Sequence, residues 1–191
     1  MNRCRIIGGN LKRRFIKVPE TKSTRPTSDI IKQSLFNVLI HRFQIDFSKT
    51  FVIDLFAGSG SLGIEAISYG SKKVIFVDSN NKAISCIKDN LKQLEITQFA
   101  EVLNKSSERI PDKVFQESAE KFENILIFMD PPYAEKELLR SQILRFSDLF
   151  KEKRLLIITE SDEEIEIEGI KHSIATSHGD TIVQAFYLNE F

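Results

Sequence analysis

Asp54, Asp78 and Asp130 each end a short apolar run, in "FVIDLF", "KVIFVD" and "ILIFMD". A carboxylate at the end of a buried strand costs free energy unless a donor or a ligand meets it, so each of the three needs a partner. Behind Asp54 comes "LFAGSGSLG", where Gly58, Gly60 and Gly63 form G-x-G-x-x-G between a strand and a helix. Glycine there permits turns that a β-carbon blocks, and lets backbone approach a bound group. Asp78 follows Gly58 by 20 residues, the spacing at which a strand-end acid accepts both hydroxyls of a ribose. A tight turn without a ligand is the plain alternative for the loop taken alone.

A dinucleotide would bring a pyrophosphate, which a helix N-terminus can hold, so a nicotinamide cofactor is one reading. Asp54, however, precedes the loop, and a fixed anion there repels phosphate. It suits a phosphate-free ligand bearing an ammonium group. S-adenosylmethionine has an ammonium, a sulfonium and a ribose, and no phosphate.

Asp130 opens "DPPY", Asp130 to Tyr133. In open α/β sheets ligands bind beyond the carboxyl ends of the strands, so Asp130 shares a rim with Asp54 and Asp78, and all three are expected to line one cleft. Pro131 and Pro132 stiffen the loop and disfavour helix at Asp130. An amine on an aromatic ring is a poor nucleophile because its lone pair is delocalised. If Asp130 and the Pro131 carbonyl each accept one N–H, the nitrogen can pyramidalise and aim its lone pair at a donor methyl. Tyr133 would stack on the flat base and hold it in line. Asp130 then orients the amine and stabilises growing positive charge. The bland alternative is an ordinary turn with a partly buried tyrosine.

The elements that must position these groups alternate strand and helix. Strands are expected at 51–56, 73–78, 100–104, 125–130 and 154–160, and helices at 61–70, 81–95, around 112–122, and at 138–150. "IEIEGIKHSI" and "TIVQAFYL" are expected to close the sheet as an antiparallel pair. The acidic run from Glu160 to Glu168 reads as a strand or turn with one solvated face. Repeated strand–helix units imply an α/β fold, a mainly parallel sheet covered on both faces. Ahead of it, "RCRIIGG" and "RRFIKV" can pair across Gly8, Gly9 and Asn10. A helix follows, capped by Thr27 or Ser28, with Ile30, Ile31, Leu35, Val38 and Leu39 on one face.

The 191 residues, 41% of them hydrophobic, suit one well-buried core. No apolar run approaches the roughly 18 residues of a membrane span, and "MNRCRIIGGN" lacks the apolar centre of a secretory signal. A cytoplasmic protein with no membrane partner is expected. Cys4 and Cys86 lie in unlike contexts and His41, His172 and His178 are scattered, so no metal is expected. The net charge is zero, yet residues 1–34 hold nine Lys or Arg against Glu20 and Asp29, leaving that segment at +7 and the remainder at −7. A basic arm on an acidic body fits a polyanionic partner, and fits a solvated face equally well. With no sustained heptads, a monomer is expected.

Together "RIIGG", "RPTSD", "LFN", "DLFAGSGSLGIEA", "VD", "DPPY" and "GDTIVQAFY" resemble the RsmD family, bacterial methyltransferases that modify the exocyclic N2 amine of a guanine in small-subunit (16S) ribosomal RNA. The resemblance runs from Arg5 to Tyr187, and "RIIGG" and "RPT" separate it from other enzymes that carry the glycine loop and "DPPY". It implies a seven-stranded Rossmann-like class I methyltransferase sheet, mostly parallel with the last strand antiparallel, in a single domain over 1–191. Residues 1–26 would be a basic hairpin extension for RNA contact, using Arg3, Arg5, Arg13, Arg14 and Arg25. S-adenosylmethionine would lie against Asp54, Phe56, Ala57, Gly58, Gly60, Asp78 and Ser79, with Asp130, Pro131, Pro132 and Tyr133 as the catalytic loop. Such enzymes usually carry Asp or Asn after the third strand to read the adenine amine. Here Ser106 and Ser107 occupy that place, with Asn104 as a substitute. The implied partner is rRNA, within a small ribosomal subunit or an assembly intermediate. A DNA methyltransferase acting on adenine N6 or cytosine N4, a protein glutamine methyltransferase, a nicotinamide oxidoreductase and a catalytically silent RNA-binding assembly factor remain alternatives.

Overall fold

"VIFV", "ILIFM" and "LLIIT" are continuous apolar runs, which a strand carries when the sheet is covered on both faces. The computed structural model describes residues 3–19, 29–131, 136–178 and 181–188, and in it these runs are central strands. A short antiparallel pair, β1 (Arg3–Arg5) and β2 (Phe15–Lys17), precedes α1 (Asp29–His41). Then come β3 (Thr50–Leu55), α2 (Ser61–Ser68), β4 (Val74–Asp78), α3 (Asn81–Leu94) and β5 (Ala100–Asn104). They are followed by α4 (Asp112–Ala119), β6 (Asn124–Met129), α5 (Lys136–Leu149), β7 (Arg154–Ser161), β8 (Lys171–His178) and β9 (Thr181–Leu188).

Among the described residues the main sheet has seven strands in the order β5-β4-β3-β6-β7-β9-β8. Neighbours from β5 to β7 pair in parallel, and β9 lies antiparallel between β7 and β8. The fold is the mostly parallel class I methyltransferase sheet with its last strand reversed. Strand alternation divides the core. Val52, Phe128, Leu156 and Ile158 face α1, α2 and α3, while Phe51, Ile53, Ile127 and Ile157 face α4 and α5. No helix among the described residues is long and apolar enough to cross a membrane.

Three local expectations change. Ile30 is 64% exposed, and Phe36 takes its place in the core of α1 at 0%. Thr27 and Ser28, expected as the cap of α1, lie outside the described residues. Residues 165–170 are not strand. Gln184 gives Ile165 its partners instead, accepting from the Ile165 N–H at 2.7 Å and donating to the Ile165 carbonyl at 3.1 Å. A satisfied backbone needs no ladder, and β8 starts only at Lys171.

The N-terminal pair is not a loose arm. Lys32 and Glu65, 1% and 0% exposed, form a buried ion pair with Nζ and Oε2 3.7 Å apart. Lys32 Nζ also donates to the Arg5 carbonyl at 2.6 Å and to Cys4 Sγ at 3.0 Å. Glu65 accepts from the Gly8 N–H at 2.7 Å and the Ile7 N–H at 3.0 Å. A β-carbon on Gly8 would overlap the Tyr69 hydroxyl, so only glycine lets the chain lie this close to α2. Lys32 thus belongs to the core and is not part of the basic surface.

Candidate active site

The glycine loop leaves the end of β3 through backbone that L-residues seldom adopt. Phe56, Gly58 and Gly60 have φ of 64°, 55° and 76°, and a non-glycine residue there stores strain. Two bonds close the turn, from the Ala57 N–H to the Val77 carbonyl at 2.9 Å and from the Gly60 N–H to the Ala57 carbonyl at 2.7 Å. A β-carbon at Gly63 would strike the Phe76 ring, so α2 packs directly on the sheet.

The carboxylates are held by backbone. Asp54 is 3% exposed, and its Oδ2 accepts from the Gly63 N–H at 2.9 Å. Burial pushes its carboxyl up to about 7, the nearby Asp78 charge adds to the rise, and the Gly63 N–H opposes it. Asp78, half-buried at the end of β4, accepts from the Gly58 N–H and the Asn80 N–H, each at 2.8 Å. One acid therefore ties the glycine loop to the next helix.

Beside Asp78 lies a cleft of about 600 Å³ lined by Ser79, Asn104, Lys105, Ser106 and Arg109, a volume suited to a small-molecule site. Asn104 pairs with Asp78 across β5 and β4. Of the two candidate serines only Ser106 reaches this cleft. Ser107 is 2% exposed with its hydroxyl facing the interior. Arg145 anchors the segment beyond the cleft, donating to the Ser107 carbonyl at 2.8 Å, the Ile110 carbonyl at 2.6 Å and Asp112 Oδ1 at 2.8 Å. The sequence offers little sign of this, because Arg145 lies some forty residues away on α5, its guanidinium over the Phe115 and Phe146 rings.

Asp130 lies farther along the rim, on the other side of β3. It is partly buried just past β6, and with Glu160 of β7 it lines a narrow pocket with Ile31, Leu35, Leu62 and Val183. Burial above all, then the charges of Glu160 and Asp54, raise its carboxyl well above the ordinary range. Pro131 is buried, and Pro132 and Tyr133 lie outside the described residues. The three aspartates follow one another along the rim: Asp54 lies beneath the loop, between Asp78 on one side and Asp130 on the other.

On the hairpin, Arg3, Arg5, Arg13 and Arg14 are exposed. Arg5 Nη2 lies 2.9 Å from Asp29 Oδ2, and Arg14 donates to the Gln93 carbonyl at 3.1 Å. Arg25 lies outside the described residues.

A parallel sheet closed by one reversed strand, with a nucleoside-sized cleft beside a ribose-spaced acid and a buried aspartate under the glycine loop, defines a class I S-adenosylmethionine-dependent methyltransferase. The residues fit that cofactor. Asp78 is held by two N–H groups at the cleft edge, and the buried anion-forming Asp54 lies under the loop.

Comparisons with known proteins agree. The sequence profile of the family described as Conserved hypothetical protein 95 matches residues 4–187. A Bacillus subtilis protein provisionally named rRNA methyltransferase YlbH is 41% identical over 85% of each chain. The Ribosomal RNA small subunit methyltransferase D of Haemophilus influenzae is 37% identical over 68% of this chain and 63% of its own. The solved structure of an Escherichia coli protein provisionally titled methyltransferase yhhF covers 98% of both chains with a TM-score of 0.73; at 22% identity that likeness concerns the fold. The chain belongs to the RsmD family of methyltransferases.

Proposed function

We propose that this enzyme transfers a methyl group from S-adenosylmethionine to the exocyclic N2 amine of a guanine in small-subunit rRNA. The observation that carries the reading is Asp130, partly buried just past β6 and two strands along the same rim from Asp78 and its cleft. A nucleoside suits that cleft, and the Asp130 carboxylate with the Pro131 carbonyl offers acceptors to an amine farther along the rim. The names of the relatives in Bacillus and Haemophilus support rRNA as the substrate class.

Bound S-adenosylmethionine supplies an electrophilic methyl on its sulfonium. Asp78 accepts the ribose hydroxyls, Ser79 and Ser106 line the base end of the cleft, and Phe56, Ala57, Gly58 and Gly60 present backbone to the methionine portion. Asp54, ionised when the ammonium is near, offsets that charge. On the substrate side Asp130 and the Pro131 carbonyl accept the two N2–H groups and free the nitrogen lone pair. The freed lone pair would take the methyl, the C–S electron pair would stay with sulfur, and Asp130 or water would take the surplus proton from the nitrogen. Pro132 stiffens the loop and Tyr133 stacks on the base. Residues 1–26 contact RNA phosphates through Arg3, Arg13 and Arg14, with Arg5 exchanging Asp29 for a phosphate, since an exposed ion pair is worth only about 0–1 kcal/mol. The substrate is a small ribosomal subunit or its assembly intermediate, met by a monomeric cytoplasmic enzyme.

The test is methyl transfer from labelled S-adenosylmethionine to small subunits and to free rRNA from cells lacking the enzyme, followed by nucleoside analysis. Label in N2-methylguanosine is expected. Label in methylated adenine, methylated cytosine or protein would refute the substrate assignment.

A further inference from the structure

The turn after β5 forms one wall of the cleft beside Asp78, through Lys105, Ser106 and Arg109. A nucleoside whose ribose hydroxyls rest on Asp78 carries its base toward β5, since β5 adjoins β4 and Asn104 stands opposite Asp78. Adenine then meets this turn with a donor amine beside an acceptor ring nitrogen. A wall reads that edge only if its backbone and the Ser106 hydroxyl keep a fixed distance from it.

Asp54 and Asp78 are held by backbone from nearby stretches of chain, and the turn is the exception on this side of the rim. Its own bonds run from the Arg109 N–H to the Ser106 carbonyl at 3.0 Å and from the Ile110 N–H to the Ser107 carbonyl at 3.3 Å. The Ser107 hydroxyl is buried without a hydrogen-bond partner, which disfavours this conformation. Arg145, on α5, supplies the missing hold. Its Nη1 donates to the Ser107 carbonyl at 2.8 Å and to Gln142 Oε1 at 3.2 Å, its Nη2 to the Ile110 carbonyl at 2.6 Å, and its Nε to Asp112 Oδ1 at 2.8 Å. The guanidinium carbon lies 5.3 Å from the centre of the Phe146 ring and 5.7 Å from that of Phe115, so packing fixes the plane of the fork.

We propose, resting on the placement of the cofactor's nucleoside in this cleft, that Arg145 is a positioning residue for adenine recognition. It sets the turn at the distance from which the turn reads the adenine edge, and so governs cofactor affinity and selectivity without touching the cofactor. The bonds to the Ser107 and Ile110 carbonyls bracket Arg109, so they fix the backbone of the wall itself. A group needed only to fill the space between α4 and α5 could be apolar, as Phe115 and Phe146 are. Lysine in this place would keep the charge and the stem, but it has no planar fork and cannot hold both carbonyls in the same geometry.

The test measures by calorimetry the affinities of S-adenosylhomocysteine and S-inosylhomocysteine for wild type, Arg145→Lys and Asp78→Asn, with thermal unfolding of the same samples. The inosyl compound differs only at the base edge, where a carbonyl replaces the amine and an N–H replaces the acceptor nitrogen. Wild type should prefer the adenosyl compound by at least about tenfold. In Arg145→Lys that preference should fall to about threefold or less, and the KM for S-adenosylmethionine should rise about tenfold with kcat within a few-fold of wild type. A variant whose Tm falls while its preference and KM stay at wild-type values would show a purely structural arginine and overturn the proposal. So would a wild type that discriminates less than about threefold. Should the lysine variant not fold, hydrogen exchange on ligand-free wild type decides: the Arg109 and Ile110 amides should be protected, and exchange at the rate of an open loop would overturn the proposal. Failure of the cofactor placement looks different, because Asp78→Asn would then bind S-adenosylhomocysteine as tightly as wild type.

Discussion

The two halves of the sheet's carboxyl rim are built in different ways. On the β3–β5 side, side chains are held by local backbone: Gly63 donates to Asp54, and Gly58 and Asn80 to Asp78. On the β6–β7 side, Asp130 and Glu160 are held in a pocket whose walls come from α1, α2, β7 and β9. The first half needs one short stretch of chain to be correct; the second needs the whole fold. A binding site for an invariant cofactor can be carried by a loop, whereas a site for one chosen base has to be assembled from distant segments.

Glu65→Ala breaks the second half and spares the first. It leaves Lys32 charged and buried beneath α1 and β1, and losing one partner of such a pair costs about 3–5 kcal/mol. Thermal unfolding should show a large fall in Tm. Below that Tm, RNA methylation should suffer more than cofactor affinity, because the Lys32–Glu65 pair ties down α1, whose Ile31 and Leu35 pack beside Asp130.

Asp78→Asn strikes the first half. Charge-assisted bonds to a ribose are worth about 1.5–3 kcal/mol, so calorimetry should show cofactor affinity about 10- to 100-fold weaker. The turnover rate at saturating cofactor should stay within a few-fold of wild type. A collapse of turnover at saturation would mean that the halves are not separable.

Asp54→Asn sharpens the contrast through pH. The folded protein holds the Asp54 proton up to about 7, against 3.8 for an ordinary aspartate, so between those values the folded state binds more protons than the unfolded chain. Wild-type stability therefore declines as pH rises through that window, and the contribution is fully present only below it. The variant lacks this decline and should be more stable than wild type by up to about 4 kcal/mol near pH 8, with little difference near pH 4. Wild-type cofactor affinity should rise with pH through about 7, and that of the variant should not.

The smallest effect belongs to the hairpin. Arg3→Ala with Arg13→Ala should weaken RNA binding a few-fold and reduce the slope of log affinity against log salt by about 1–2, with cofactor affinity unchanged. An unaltered slope would remove these arginines from the RNA-contacting surface.

The difference between the halves also explains what could be read from the sequence. The strands around Asp54, Asp78 and Met129 are continuous apolar runs, and the glycine loop is local, so the parallel strands and the position of Asp78 at a strand end beside that loop follow from pattern alone. Glu160 was legible only as part of an acidic stretch, because its place beside Asp130 depends on the parallel register that sets β7 beside β6. Lys32 counted as one of nine basic residues, although its spacing of three and four from Leu35 and Phe36 put it on the apolar stripe of α1. Glu65, flanked by Ile64 and Ala66 in an apolar helix, carried the matching sign. Neither residue could be paired from sequence, since 33 positions separate them along the chain and only the docking of Ile7 and Gly8 onto α2 brings them together. Ser107 resembles Ser106 in sequence but turns inward, because the short turn after β5 directs successive side chains to opposite sides.

The most direct test of the separation between the halves is the single-turnover rate of methyl transfer by Asp130→Asn, with cofactor affinity measured on the same sample. Cofactor binding within about twofold of wild type, with transfer slower by about 100-fold or more, is the predicted result. Transfer at the wild-type rate, or a loss explained by weaker cofactor binding, would contradict it.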